Sequence, residues 1–339
     1  MHGDLPVVQI KRNHARMFRE ALQKIPRHRT GALLKASLPE LVHWSSTRKS
    51  PKIAPATVNK LLGAVQTVAV WARDNGIISD AVPWSDPFSK MRLEEDEPSR
   101  ELLQADDLKK LFASPVFTKG DRPAGGKGEA AFWLPLLALF TGARQGELAG
   151  LRASDVETDE RTEAPLLIIA PERSRNRTLK TKSSARTVPI HTELIRFGWL
   201  DYVEQIRSEN GKDAWLFPLI APEHGRAGVR AWSKWFNRHL GQQGVTDASK
   251  VFHSFRHTFA DALRATGIST EGLRAVLGWS GSTDDAGTAT RHGAKEKFRR
   301  FGRVLVDAMD KVEYPGLDLS SVHWNGGLPG GLRRPARIA

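Results

Sequence analysis

The feature that most limits the fold of this chain is a break. Leu93-Glu94-Glu95-Asp96-Glu97-Pro98-Ser99-Arg100 concentrates charge, and no apolar periodicity crosses it. A stretch of that kind cannot enter a core, so the apolar residues on its two sides must be buried separately. At 339 residues the chain is long enough for two domains that each bury a core. The expected organisation is a helical domain over 1–95, a second domain over 101–313 and a C-terminal tail over 314–339.

On the N-terminal side, residues 14–25 mix charge with Met17, Leu22 and Ile25, and 30–45 suggest a second short helix. The clearest element runs from Thr57, a candidate N-cap after Pro55, to Asn75-Gly76, which makes a left-handed stop. Between them Val58, Leu61, Leu62, Val65, Val68 and Ala72 form one apolar stripe. Lys49, Lys52 and Lys60 gather at its start, as phosphate contacts or as a solvated face. Beyond the break, Leu108, Leu111 and Phe112 mark a helix, and 130–140 another with Pro135 near its first turn. Thr141-Gly142-Ala143-Arg144-Gln145-Gly146-Glu147 is a glycine-broken turn with Arg144 at the junction. Residues 166–170 and Thr187-Val188-Pro189-Ile190 read as a β-hairpin with a long, lysine-bearing loop, and Trp215-Leu216-Phe217 as a further short strand. Helical spacing returns at Val229, Trp232, Phe236 and Leu240, from Thr270 to Leu277, and along one last helix with Phe298, Phe301, Leu305, Ala308 and Val312. The fold class expected is mostly α with a small β-hairpin or sheet, an α+β arrangement.

Composition narrows the function. Lys and Arg number 51 against 38 Asp and Glu, a formal charge of +13, so polyanions are the natural partners and nucleic acid leads. With no cysteine, disulfides, thiolate zinc sites and cysteine nucleophiles are excluded. The first thirty residues are basic with no apolar run beside them, and no stretch approaches the length of a membrane span. A soluble, cytoplasmic protein without a membrane partner is expected. Gly-Gly-Lys-Gly at 125–128 is too irregular for a nucleotide-binding loop.

The chemistry concentrates in Phe252-His253-Ser254-Phe255-Arg256-His257-Thr258-Phe259. Ser254 reads as a helix N-cap, with Phe255, Phe259, Ala262 and Leu263 at helical spacing until Gly267. Free N–H groups and the positive dipole end then meet His253, which can exchange a proton near neutral pH, and Arg256, a planar fork of donors. That combination suits phosphoryl transfer. The plainer alternative is a core helix with a buried histidine and a surface arginine. A metal site on His253 and His257 is a further alternative, with Arg256 a poor neighbour for a cation.

Taken together, four blocks resemble the tyrosine recombinase, or phage integrase, family: Thr141 to Leu148; Lys180-Thr181-Lys182 with Arg186-Thr187-Val188-Pro189; His253-x-x-Arg256-His257-Thr258; and Leu277-Gly278-Trp279. Ala54-Pro55-Ala56-Thr57-Val58-Asn59-Lys60 is loosely similar to part of the family's helical core-binding domain. The resemblance implies a core-binding domain and a catalytic domain forming a C-shaped clamp on double-stranded DNA. Arg144 and Arg256 would stabilise charge on the phosphate as it develops. Lys180, or Lys182, would protonate the leaving 5′-oxygen, and His253 would act as general base or acid. Trp279 takes a position usually filled by histidine, and Glu147 would buttress the site through hydrogen bonds. No cofactor and no metal are implied. The assembly implied is a homo-tetramer on paired DNA sites, with a monomer or weak oligomer in the absence of DNA.

One position departs from the family. Its nucleophile is a tyrosine shortly after the Trp279 position, commonly in an Arg-Tyr-Gly-like context, and here the chain reads Arg291-His292-Gly293. The chain's two tyrosines, Tyr202 and Tyr314, do not fit that motif. A substitution that disarms the nucleophile, a degenerate natural protein and a histidine that attacks phosphorus are the three explanations. A sequence-specific DNA-binding protein that does not cut is thus the alternative to a recombinase, and a scaffold unrelated to nucleic acid the third reading.

Overall fold

The computed structural model describes residues 5–95, 101–171, 184–221, 225–279 and 290–325, with backbone alone at Gly225 and Arg226. The chain divides into two compact units, Met1–Pro98 and Ser99–Ala339.

The first unit is built from α1 (Arg12–Lys24), α2 (Leu38–Ser46) and α3 (Pro55–Asp74). Ala15, Leu22, Leu41, Val58, Leu62 and Ala69 close on Phe88 and Met91 to form its core. Helix α3 starts ahead of Thr57. Pro55 takes the first helical position, where its fixed φ fits and its missing N–H is not needed, and Ala54 is the N-cap. The left-handed residue at the other end is Gly76, with φ 72. The buried stripe is narrower than the sequence suggests, because Leu61 and Val68 are exposed. Asn59 is buried and holds the chain after α3 in place. Its Nδ2 donates to Leu93 O at 2.9 Å, and its Oδ1 accepts from Leu93 N at 2.8 Å. Lys52 donates to Ser45 O at 3.0 Å.

The second unit opens with α4 (Ala105–Phe112) and α5 (Pro115–Thr118), and is organised around α6 (Ala130–Thr141). Every residue of α6 is buried, the signature of a helix surrounded on all sides. Pro135 lies inside α6, not in its first turn, and costs the helix one ladder bond. After α7 (Gln145–Ala149) come β1 (Val156–Thr158), β2 (Pro165–Ile169) and β3 (Arg186–Pro189). They form an antiparallel sheet in that order, with Leu166 opposite Pro189 and Ile169 opposite Arg186. The expected hairpin is thus β2–β3, and β1 adds a third strand too short to show alternation. The expected strand at Trp215 is only an isolated bridge to Arg152, extended by Leu216 N donating to Leu151 O at 2.9 Å.

Helices α8 (Thr192–Arg196), α9 (Trp199–Asn210), α10 (Gly225–Gln242), α11 (Ser254–Ala265) and α12 (Thr270–Leu277) follow. The single last helix expected from Phe298 to Val312 is two, α13 (Arg291–Phe301) and α14 (Arg303–Asp310). Gly302 separates them with φ 50 and ψ −120, a conformation outside the helical region. Residues from Tyr314 to Trp324 are not a loose tail either. Leu319, Val322 and Trp324 are buried in the unit's core, Trp324 N donates to Phe197 O at 2.8 Å, and Arg196 Nη2 donates to Leu319 O at 2.9 Å. Their anchors are spaced irregularly among Pro, Gly and Ser, so no period announces them. Among the described residues, no helix is long and apolar enough to cross a membrane.

Candidate active site

The site begins where α6 ends. Gly142 caps α6 in the left-handed region, φ 60, and a Cβ there would lie 2.4 Å from the Phe259 ring on α11. Glycine alone lets the chain turn so close to that aromatic. Two residues on, Arg144 is the N-cap of α7. Its N–H donates to Glu147 Oε2 at 2.8 Å, and its Nη1 donates to Glu147 Oε1 at 2.8 Å and to Ser184 Oγ at 3.1 Å.

Two further guanidiniums converge on this corner. Arg186, at the start of β3 and fully buried, donates from Nη2 to Glu147 Oε2 at 2.8 Å and from Nη1 to Ser184 O at 2.9 Å. Arg256, in the first turn of α11, donates from Nη1 to Gly142 O at 2.7 Å and from Nη2 to Leu277 O. The α6–α7 turn, β3, α11 and the end of α12 therefore meet at one point.

Among the described residues, the electrostatics follow from three cations gathered around one anion. Burial alone would push the Glu147 carboxyl up, but Arg186 and Arg144 outweigh it and hold it at about 2. For Arg256, burial comes first and the Arg186 and Arg144 charges add to it, bringing the guanidinium down to about 9. It stays a cation at neutral pH, in a pocket with more positive charge than one carboxylate offsets. An oxyanion is the natural complement of such a cluster.

The other expected site residues fall as follows. His253, not Ser254, is the N-cap of α11. The turn starts at Val251: Ser254 N donates to Val251 O at 2.8 Å, and the Ser254 hydroxyl accepts from Val251 N at 3.1 Å. The His253 ring meets that of His257 edge-on, with centroids 5.2 Å apart. Among the described residues, no three His, Asp or Glu side chains group as a metal ion would need. Trp279 follows Gly278, which ends α12 with φ 64, and its ring lies 6.0 Å from Arg256 Cζ and 5.6 Å from Arg264 Cζ. Lys180 and Lys182 lie outside the described residues. His292 is the second residue of α13, exposed, on a helix that packs against β2 and β3.

Both tyrosines have their hydroxyls committed. Tyr202 donates to Leu216 O and Tyr314 to Leu139 O, and burial raises both phenols well above the ordinary range. Arg186 was not singled out in the sequence, although it stands in one of the four blocks. It closes a strongly basic run, and only its pairing with Glu147, 39 residues away, reveals that it points inward.

Residues 128–284 match the model of the phage integrase family. That span contains Arg144, Glu147, Arg186, His253, Arg256 and Trp279, and ends before His292. A tyrosine recombinase XerC-like protein of Caldanaerobacter subterraneus subsp. tengcongensis is 30% identical over 190 residues, covering 50% of this chain and 48% of the relative. The chain thus spans about half the length of that curated relative. Among solved structures, the Tn1549 transposon integrase in complex with a circular intermediate DNA is 17% identical, with 88% of each chain covered and a TM-score of 0.51. The same integrase in complex with transposon right end DNA gives 16% identity, 88% and 87% coverage and a TM-score of 0.50. At these identities the likeness is one of fold.

Proposed function

We propose, from the match of residues 128–284 to the phage integrase family model, that the chain is a site-specific DNA recombinase of the tyrosine type whose nucleophile position is filled by His292. In its present form it holds DNA without cutting it. The observation that carries this reading is the meeting of Arg144 and Arg186 on Glu147, with Arg256 anchored on the Gly142 carbonyl beside them, inside that domain.

The chemistry asked of the site is displacement at a DNA phosphodiester. Arg144 and Arg256 face the non-bridging oxygens, where negative charge grows in the transition state. Glu147 and Arg186 hold Arg144 in place, so its fork is set before the phosphate arrives. His253 exchanges the proton of the attacking group, Trp279 donates its indole N–H to the phosphate, and Lys180 or Lys182 gives a proton to the departing 5′-oxygen. With a tyrosine at position 292, its oxygen would bond to phosphorus as the bond to the 5′-oxygen breaks, leaving protein on a 3′-phosphate and a free 5′-hydroxyl. Histidine is shorter, and a displacement of about an ångström in such an attack costs on the order of a hundredfold in rate. The working assembly in this proposal is a homo-tetramer on paired sites.

A second reading, a non-cutting DNA-binding protein descended from an integrase, is favoured by His292 and by the two committed tyrosine hydroxyls. A suicide duplex separates them. The unmodified chain should bind specific duplex and form no covalent adduct, whereas His292→Tyr should form an adduct through a 3′-phosphate. In that background Arg144→Ala and Arg256→Ala should each abolish the adduct while leaving much of the duplex affinity, which many other cations share. An acid-labile phosphohistidine adduct from the unmodified chain would overturn the non-cutting assignment. Failure of His292→Tyr to form any adduct would favour the second reading.

A further inference from the structure

Position 292 lies in the first turn of a helix that has little apolar hold on the rest of the unit at that end. Ala294 and Phe298 are the buried residues of α13, and Phe298 sits two turns in. The first turn is held by the Thr290 N-cap, whose hydroxyl accepts from Gly293 N at 3.0 Å, and by charge. Arg291 Nη1 donates to Asp155 Oδ1 at 2.7 Å, and Nη2 donates to Glu157 Oε1 at 2.6 Å and to Ser154 O. One turn further, Lys295 Nζ donates to the other oxygen of Glu157. The receiving side is itself fixed: the Asp155 side chain is 3% exposed, and its second oxygen accepts from Arg152 N at 2.9 Å.

We propose that Arg291 is a positioning residue for position 292: its fork, seated on Asp155, Glu157 and the Ser154 carbonyl, sets where the side chain of residue 292 starts. This rests on the reading of position 292 given above. The planar guanidinium is what suits it to the task. Donors on both Nη atoms, aimed at acceptors on three residues of one stretch, Ser154 to Glu157, fix rotation as well as distance, which a lysine point charge does not. Stabilisation accompanies the placement: the Glu157 arm, with side chains 37% and 31% exposed, contributes little, whereas the Asp155 arm ends on a carboxylate 3% exposed, which loses a partner when Arg291 is removed. Placement is the quantity to which an in-line displacement is most sensitive.

The test uses the full chain in two backgrounds. In the unmodified protein, Arg291→Gln should make amide exchange over residues 290–296 at least about tenfold faster, a larger factor than elsewhere in the second unit, with duplex affinity nearly unchanged. In the His292→Tyr protein, Arg291→Gln should lower the single-turnover rate of adduct formation at saturating suicide duplex on the order of a hundredfold. Arg291→Lys should restore only part of that rate. Unchanged exchange over 290–296 in Arg291→Gln would overturn the proposal, as would an unchanged adduct rate or full rescue by lysine. If His292→Tyr itself forms no adduct, the reading of position 292 fails, and the exchange measurement still decides whether Arg291 holds the turn.

Discussion

Among the described residues, Glu147 is the anion in a cluster of three guanidiniums, and its titration is a handle on that cluster. Its carboxyl is lowered from 4.5 to about 2 in the folded chain. The stability it contributes is therefore present above about pH 4.5 and lost as the pH falls through about 2, below which folded and unfolded chains are both protonated. Glu147→Gln should cost about 3 kcal/mol at pH 7, since it leaves Arg186 buried without its partner. The gap between variant and parent, measured by urea unfolding across pH, should close by about pH 2. At this scale the sequence was informative where a side chain stands at a helix end. Arg144, His253, Arg256 and Trp279 are each marked by a nearby glycine or turn. Arg186 is not, because nothing in a strand's own residues says which face a distant carboxylate will occupy.

Among the elements, the α6–α7 turn leaves no room for a side chain at Gly142. Gly142 combines a φ of 60 with a Cβ position 2.4 Å from the Phe259 ring and 2.9 Å from Leu277, and its carbonyl anchors Arg256. Gly142→Ala should lower stability by about 2–4 kcal/mol, measured from denaturant midpoints, through left-handed strain plus overpacking. It should also displace Arg256, which a backbone change on another element would otherwise leave alone. Helices with a clean apolar period, such as α3 and α10, were legible as elements; their ends were less so. Pro55 moved one start, and Gly302 split what looked like one continuous stripe. A glycine inside an apolar period reads as tolerated until its backbone angles are known, and β1 is too short to carry a period at all.

Across the whole molecule, the two units are held by different kinds of closure. The first closes its core with residues soon after its helices, at Phe88 and Met91, whereas the second is closed by residues far along the chain. Trp324 packs on Trp133 and Tyr202, and its indole N–H donates to Glu129 Oε2 at 3.1 Å. Trp324→Ala should therefore destabilise the second unit by about 3–5 kcal/mol in urea unfolding, the cost of removing a large core aromatic. Removing everything after Val312 should do at least as much, so a truncated chain that assembles poorly on DNA would have to be shown to be folded before the defect is assigned to subunit contacts. The same closure bears on biosynthesis. A ribosome makes the surfaces of Trp133 and Phe197 long before it makes the residues that cover them. Domains tend to fold as units as they emerge, so until position 324 is out the second unit is a nascent chain with an open aromatic face. That is the interval in which a chaperone would be needed most.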